Sequence, residues 1–173
     1  YTGVFSDKNV GTGKTVTITS SYSGADVSNY TVTNQSSTTA NITAKALTVS
    51  GITAANKTYD ANTTATLDAS SVSYSGLVSG DTFSGTYSGV FDNKNVGTGK
   101  TVTITPSYSG VDVSNYSVTN QSSTTANVIA KSLTASASAA NKTYNGNTTA
   151  TTTLTFSGLI GTETLGQTVG STF

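Results

Sequence analysis

A long internal repeat is the feature that most constrains this sequence. Residues 1–48, beginning YTGVFSDKNVGTGKTVTIT, return without a gap as residues 87–134, beginning YSGVFDNKNVGTGKTVTIT. The segment AANKTYDANTTATL around Tyr59 likewise returns as AANKTYNGNTTATTTL around Tyr144. The period of about 86 residues is far longer than one coil of a solenoid and matches a small domain. The sequence therefore predicts a tandem array of small modules, elongated rather than round.

The phase of the repeat predicts the module boundaries. Residues 48–133 form one complete unit, residues 1–47 match the carboxy-terminal half of a unit, and residues 134–173 match an amino-terminal half. A half unit is too small to bury a core by itself. We therefore expect each half to be ordered only when its missing half is present, either as continuing chain or as a second copy joined head to tail.

Composition excludes most site chemistry. The chain has no His, Cys, Met or Trp, and its eight basic and eight acidic residues cancel. Without imidazole or thiol groups there is no usual zinc or copper site and no thiol nucleophile. Scattered lysines form no basic stripe for nucleic acid, and no apolar run approaches the length of a membrane span. We therefore expect no catalytic residues, no cofactor, no metal, no nucleic-acid partner and no membrane insertion by this segment.

Alternating side chains predict an all-β fold. In KTVTIT, Val102 and Ile104 point one way and the threonines the other, and Val16 and Ile18 repeat this register. We expect these four side chains to be buried and the threonines exposed. Pro106 predicts an edge position. The unit holds about six or seven short strands, typical of an immunoglobulin-like sandwich or a β-grasp-like sheet. The other predicted strands are Leu47–Ile52, Thr64–Leu67, Val72–Tyr74, Phe83–Phe91, Tyr116–Thr119 and Ala126–Ala130.

Five blocks in order carry a family resemblance: KTYDANTTATL, GLVSGDTFSGTYSGVF, DNKNVGTGKTVTIT, SGVDVSNYSVT and TTANVIAK. Together they resemble the YDG repeat, a module related to MBG repeats in large bacterial surface proteins of the filamentous-haemagglutinin type. The eponymous triplet reads Tyr59-Asp60-Ala61 in one copy and Tyr144-Asn145-Gly146 in the other. The resemblance implies a secreted, mostly-β module used in tandem in adhesins, surface fibres and biofilms, and it carries over no catalytic residue.

The acids and tyrosines are the remaining candidates for a site. The acids are isolated by turn residues, so we interpret them as turn braces rather than as a calcium site. The tyrosines that recur once per repeat predict core or inter-module packing rather than a ligand platform. Lys57 or Lys100 could form an isopeptide crosslink with Asn if buried beside an acid. The acids are Asp26, Asp60, Asp68, Asp81, Asp92 and Asp112, and the tyrosines are Tyr30, Tyr59, Tyr116 and Tyr144.

Two functional hypotheses follow. The first is a structural segment of an extracellular bacterial surface fibre, stalk or filament, whose partners are neighbouring repeats or head-to-tail copies. The alternative is a multivalent binding module that recognises a glycan or a host or matrix protein, with the variable loop near Ser6 or Asp92 as the contact. An enzyme ranks last, because the acids are isolated and Glu163 is the sole glutamate.

Overall fold

The computed structural model describes residues 1–166, and this part of the chain is all-β, as the sequence predicts. It contains fifteen strands and two single 3₁₀ turns, Val27–Asn29 and Val113–Asn115, and no α-helix among the described residues. The strands are β1 Thr2–Phe5, β2 Gly11–Thr19, β3 Ser37–Ile42, β4 Lys45–Ser50, β5 Thr53–Ala54, β6 Lys57–Thr58, β7 Thr64–Ala65, β8 Leu67–Asp68, β9 Ser73–Ser75, β10 Ser84–Phe91, β11 Gly97–Ser109, β12 Tyr116–Thr119, β13 Ser123–Ile129, β14 Thr134–Ala139 and β15 Thr152–Ser157.

The chain divides into two compact units, each assembled from separated stretches. Unit 1 contains residues 1–53, 67–88 and 104–122, and unit 2 contains residues 54–66, 89–103 and those from 123 onward. The long strands β10 and β11 contribute residues to both units. The compact units therefore follow spatial packing, whereas the repeat boundary near residue 48 is a feature of the sequence and stays a prediction.

Unit 1 holds two three-stranded sheets. One has the order β1-β2-β3 and is antiparallel throughout. The other has the order β12-β4-β9, in which β12 runs parallel and β9 antiparallel to the central β4. The inward side chains of β4 are Leu47 and Val49, and both are buried because β4 has a neighbour on each side and aromatic rings over it.

The core of unit 1 forms two adjoining clusters. Leu47 packs with Phe83 and Tyr116, and Val49 packs with Ile52 and Ile104. Phe83 also meets the rings of Tyr74, Tyr108 and Tyr116 at centroid distances of 5.2, 5.0 and 5.8 Å. Large aromatic side chains supply much of the buried area here, which compensates for the low content of aliphatic residues.

Unit 2 is built on the sheet formed by β13, β11 and β10. Its edges are extended by two short strands, because β6 pairs parallel with β13 and β7 pairs antiparallel with β10. The inward side chains along this sheet are buried: Ala65, Phe91, Val102, Ala126 and Val128. A separate hairpin of β14 and β15 pairs Thr134 with Ser157 and Ala139 with Thr152.

The predicted strand register is confirmed in the second copy and only half right in the first. Val102 and Ile104 are buried and the intervening threonines exposed, whereas Val16 and Ile18 have the same register but are only half-buried. Ile104 is covered by Val49 and Ile52. Among the described residues, no side chains equivalent to Val49 and Ile52 cover Ile18. The expectation that Val16 and Ile18 are fully buried is therefore wrong.

Several predicted boundaries move when the pairing is known. The strand that contains KTVTIT is longer than the alternation shows, because β11 already begins at Gly97 with a bulge against β13 between Gly97 and Lys100. The predicted strand at 64–67 is two short strands, interrupted at Thr66, whose carbonyl accepts a hydrogen bond from the Ala55 N–H. Pro106 lies beyond the ladder between β11 and β13, which ends at Thr103. The backbone N–H that proline lacks is therefore not needed for pairing with β13.

Leu47 and Leu133 occupy equivalent repeat positions, and Leu47 is fully buried while Leu133 is exposed. We expect Leu47→Ala to reduce the free energy of unfolding by about 2–5 kcal/mol, since it leaves a cavity in a packed core. The matched control Leu133→Ala should cost about 1 kcal/mol or less. Urea unfolding followed by circular dichroism measures both, and equal losses would contradict this description of the core.

Candidate functional site

A lysine in unit 1 lies between two carboxylates from distant parts of the sequence. The Lys8 Nζ is 2.9 Å from the Asp81 Oδ1 and 2.8 Å from the Asp112 Oδ1. The lysine side chain is 66% exposed, whereas that of Asp112 is only 7% exposed. We call Lys8, Asp81, Asp112 and Tyr116 the Lys8 joint. It ties the loop after β1 to the loop before β10 and the turn after β11.

Asp112 is positioned by a close approach of two backbone segments. At Gly110, φ is +132° and a Cβ would lie 2.2 Å from the Thr82 carbonyl oxygen, so only glycine fits there. The Thr82 N–H then donates to the Asp112 Oδ2 at 2.8 Å. The carboxylate does not cap its own 3₁₀ turn. The prediction of a local turn brace is therefore wrong for Asp112, which joins segments thirty residues apart.

Tyr116 links the joint to the core. Its ring is buried against Leu47 and Phe83. Its hydroxyl donates to the Asp81 Oδ2 at 2.7 Å and accepts a hydrogen bond from the Val78 N–H at 3.0 Å. A buried phenol thus has both of its hydrogen-bonding roles filled, as a polar group in a core requires.

The contacts within the Lys8 joint keep Lys8 and both aspartates charged and keep the Tyr116 hydroxyl protonated. Hydrogen bonding to Lys8 holds the pKa of Asp81 and of Asp112 below its usual value, with Tyr116 and the Thr82 N–H as the second contributions. The two carboxylates raise the pKa of Lys8. Burial raises the pKa of Tyr116, and the bond to Asp81 raises it further. The joint is therefore a fixed ion pair across neutral pH.

The loop that carries Lys8 is held by a second contact. The Val10 N–H donates to the Asn115 Oδ1 at 2.9 Å, and the Asn115 Nδ2 donates to the Asn9 Oδ1 at 3.2 Å. Beside this contact lies a groove of about 230 Å³ lined by Val10, Ile42, Lys45, Val78 and Tyr116, among others.

Unit 2 repeats the joint at equivalent repeat positions. Lys94, the counterpart of Lys8, pairs with Glu163 at 3.4 Å, and Glu163 stands where Asp81 stands in the preceding copy. Both acids follow the same turn: the Asp81 N–H donates to the Val78 carbonyl at 3.1 Å and the Glu163 N–H to the Ile160 carbonyl at 3.2 Å. The acid differs by one methylene, yet the pairing is kept.

The second joint also uses a tyrosine. The Tyr59 hydroxyl donates to the Glu163 Oε1, and the Lys94 Nζ lies 5.9 Å from the centre of the Tyr59 ring. The Tyr59 and Lys94 contacts hold the pKa of Glu163 below its usual value. A groove of about 230 Å³ beside it is lined by the apolar side chains of Val96, Leu133, Leu159, Ile160 and Leu165, among others.

The remaining acids fall into two groups. Asp60 and Asp68 brace their own turns as predicted, accepting hydrogen bonds from the Asn62 N–H at 3.2 Å and the Ser70 N–H at 2.9 Å. Asp92 accepts from the adjacent Asn93 N–H at 2.8 Å. Asp26 is exposed and its side chain makes no cap hydrogen bond to the turn, so the prediction is wrong there. Within residues 1–166, no three acids, histidines or cysteines come together as metal ligands.

The tyrosines divide in the same way. Tyr116 is buried and Tyr59 half-buried, so the packing prediction is confirmed for both. Tyr30 and Tyr144, their repeat counterparts, are exposed, and packing is wrong for them. The tyrosine and most of its flanking residues are the same in each pair, so the difference in burial comes mainly from the segments that pack against each copy.

Lys57 and Lys100 anchor loops beside an Asn and an acid. The Lys57 Nζ lies 2.9 Å from the Asn62 Oδ1 and 2.7 Å from the Asp60 Oδ1. The Lys100 Nζ lies 2.7 Å from the Asn93 Oδ1 and 2.8 Å from the Asp92 Oδ1. Both acids have a pKa below the usual value because of these lysines. These contacts make each lysine a loop anchor, and the crosslink stays a prediction.

Sequence reasoning missed the residues that form the joints. Nothing in a linear pattern places residue 8 beside residue 81 or residue 94 beside residue 163. One signal was available: both lysines and the two acids recur at matching repeat positions, with Asp81 replaced only by Glu163. No described helix has the length and apolarity that a membrane crossing demands.

We expect Lys8→Gln to lower the melting temperature by about 2–4 °C at pH 7, because the nearly buried Asp112 loses its cation. The control Lys131→Gln removes the same charge from a lysine outside the ion pairs of the described residues. It should change the melting temperature by less. Thermal melts followed by circular dichroism measure both.

The same variant has a pH dependence with a defined sign. The folded-state pKa values of Asp81 and Asp112 lie below their usual 3.8. Their contribution is present above that pH and is lost as pH falls through the folded-state values. The difference between wild type and Lys8→Gln should therefore shrink below about pH 4. A difference that stays constant from pH 7 to pH 2 would contradict the ion-pair description.

Comparison with known proteins gives a single positive finding. The family model described as YDG domain matches residues 1–40 and 43–126. Neither a curated protein sequence nor a solved structure matches the chain.

Proposed function

The chain belongs to the YDG domain family, and we propose that it is a structural segment of an extracellular bacterial surface fibre, stalk or filament. In this proposal the repeats are small β modules in tandem, of an immunoglobulin-like or β-grasp-like type, and they support adhesion or cell–cell and cell–matrix association. Their partners are neighbouring repeats, and the segment acts without catalysis, cofactor or metal.

The observation that carries the proposal is the joint formed twice. Lys8 pairs with Asp81 and Lys94 pairs with Glu163, each lysine reaching an acid that belongs to the next copy of the repeat. The lysine–acid pairing recurs with the period of the sequence, although the tyrosine partner differs, Tyr116 in one joint and Tyr59 in the other. A recurring pairing between successive repeats supports a load-bearing or spacing role.

Immunogold labelling of intact cells with an antibody against this chain tests the proposal. We expect label on material that projects from the cell surface, because an extracellular fibre exposes its repeats there. Cells from which the gene has been deleted are the matched control. Label confined to the cell interior, with none on intact cells, would overturn the proposal.

A multivalent binding module is the second candidate, and one observation favours it. The groove of about 230 Å³ beside the Lys8 joint combines charged, amide and aromatic side chains: Lys8, Asp81, Asn115 and Tyr116. Such a mixture suits the hydroxyl groups and apolar faces of a sugar, and repetition would raise a weak affinity. Of the two loops that the sequence singled out, the loop after Ser6 lines this groove through Lys8 and Val10, whereas no residue near Asp92 does.

A glycan and matrix-protein array tests the binding candidate. We expect the binding signal of a recognised glycan or matrix protein to fall at least ~10-fold in a Lys8→Gln, Asn115→Ala double variant. The variant removes two hydrogen-bonding side chains from the groove, and losing their contacts with the ligand accounts for a loss of that size. Lys131→Gln is again the matched control. A blank array with the wild-type chain would count against binding and leave the structural proposal in place.

A further inference from the structure

One stretch of unit 2, residues 54–66, closes both edges of a sheet. We call it the docking segment. Its β6 adds parallel to β13 and its β7 adds antiparallel to β10. The Tyr59 N–H donates to the Ile129 carbonyl at 2.8 Å, and the Phe91 N–H donates to the Thr63 carbonyl at 2.8 Å. The docking segment thereby satisfies the outer backbone groups of β10 and β13.

The docking segment also covers the sheet that it borders. Phe91 is only 2% exposed, and Ala126 is buried as well. The Lys57 Nζ lies 5.8 Å from the centre of the Phe91 ring, and Ala65 is itself buried. The docking segment is therefore both an edge strand pair and part of the apolar cover.

Unit 1 contains the same sheet without this cover. Strands β1, β2 and β3 are the repeat counterparts of β10, β11 and β13, with the same bulge, here between Gly11 and Lys14. The Gly13 N–H donates to the Asn41 Oδ1 at 2.8 Å, as the Gly99 N–H does to the Asn127 Oδ1 at 2.8 Å. Among the described residues, no strand pairs outside β1 or β3.

The uncovered sheet exposes the side chains that its twin buries. Phe5 is 38% exposed, against 2% for its counterpart Phe91. Ala40 is exposed where Ala126 is buried. An open edge next to exposed apolar side chains is a template for strand addition.

The other copy of the docking segment, residues 139–151, has the docking conformation but, among the described residues, does not border a sheet equivalent to that of β10, β11 and β13. The Lys142 Nζ donates to the Asn147 carbonyl at 2.7 Å, the Asn147 Oδ1 at 2.8 Å and the Thr149 carbonyl at 2.9 Å. The Lys57 Nζ makes the equivalent three bonds in the docked copy. Tyr144 is 92% exposed. The loop is therefore preorganised, which lowers the entropy cost of binding.

We propose that the β1–β2–β3 sheet of one copy of this chain binds residues 139–151 of a second copy by strand addition at both edges. The proposal rests on the structural function above and identifies its contact surface. By equivalence, the Phe5 N–H donates to the Thr148 carbonyl and the Tyr144 N–H donates to the Thr43 carbonyl. Val4 then lies opposite Thr149, as Val90 lies opposite Thr64. In a chain that carries a preceding repeat, that repeat fills the same sheet.

The contact is heterologous, because the sheet and the docking segment are different surfaces. A heterologous contact that does not close into a ring propagates into a filament. The same geometry thus serves successive repeats of one chain and separate copies.

Engineered cysteines test the contact directly, because the chain has none of its own. The Phe91 bond to Thr63 makes Val90 and Thr64 a non-hydrogen-bonded pair, in which Cα atoms approach most closely and a disulfide fits. Chains with Val4→Cys are mixed with chains with Thr149→Cys under mild oxidation. The matched control mixes Val90→Cys with Thr149→Cys, since the edge at Val90 is already taken by β7.

The expected result is at least ~10-fold more disulfide dimer in the Val4 mixture than in the Val90 control, because only the former edge is open. Sedimentation of the wild-type chain should show concentration-dependent association. Equal dimer yields in the two mixtures would overturn the proposal.

A third arm separates the two sources of the segment. It uses Val4→Cys in a chain with residues 48–86 joined ahead of Tyr1, carrying a cysteine at the added copy of Thr64. A crosslink that forms only within this extended chain would overturn association between copies and assign the sheet to a preceding repeat. Immunogold labelling is independent of all three arms, so failure of the contact and failure of the surface function are distinguishable.

Discussion

Tyr116 is the side chain on which the rest of unit 1 depends. Its ring completes the cluster around Leu47 and Phe83, and its hydroxyl holds the carboxylate of Asp81. Removing the ring would open the core, whereas removing the hydroxyl would leave the Val78 N–H without this acceptor and the Asp81 Oδ2 without this donor. Because one residue serves both roles, the packing of the core and the geometry of the Lys8 joint are set together.

Lys8 and Asp112 differ in how much each depends on its partner for solvation of its charge. Lys8 is mostly exposed and would be well solvated alone, whereas Asp112 is nearly buried and depends on donors supplied by the protein. The Thr82 N–H and the Lys8 ammonium supply them. An exposed lysine over a buried carboxylate is therefore better described as compensation of a desolvated anion than as a surface salt bridge, whose contribution would be small.

The fold class and the strand register could be predicted because they depend on local alternation. Val102 and Ile104 face inward with exposed threonines between them, as the period of two requires. The degree of burial could not be predicted, because it depends on distant segments. Val16 has the letters and the register of Val102, yet it is half-buried. The joints escaped prediction for the same reason, since Lys8 and Asp81 are brought together only by the folded backbone.

The repeat supplies its own internal control for this distinction. Phe5 and Phe91, Tyr144 and Tyr59, and Leu133 and Leu47 are pairs with the same side chain and a similar local sequence, and each pair has one exposed and one covered member. Intrinsic propensity is therefore similar within a pair, so the difference in burial reflects mainly what neighbouring segments add. Each covered member is covered by a segment that is distant from it in the sequence. The buried members of these pairs therefore owe their burial to contacts that extend beyond one half of the repeat, and this dependence on a distant segment is what local sequence cannot reveal.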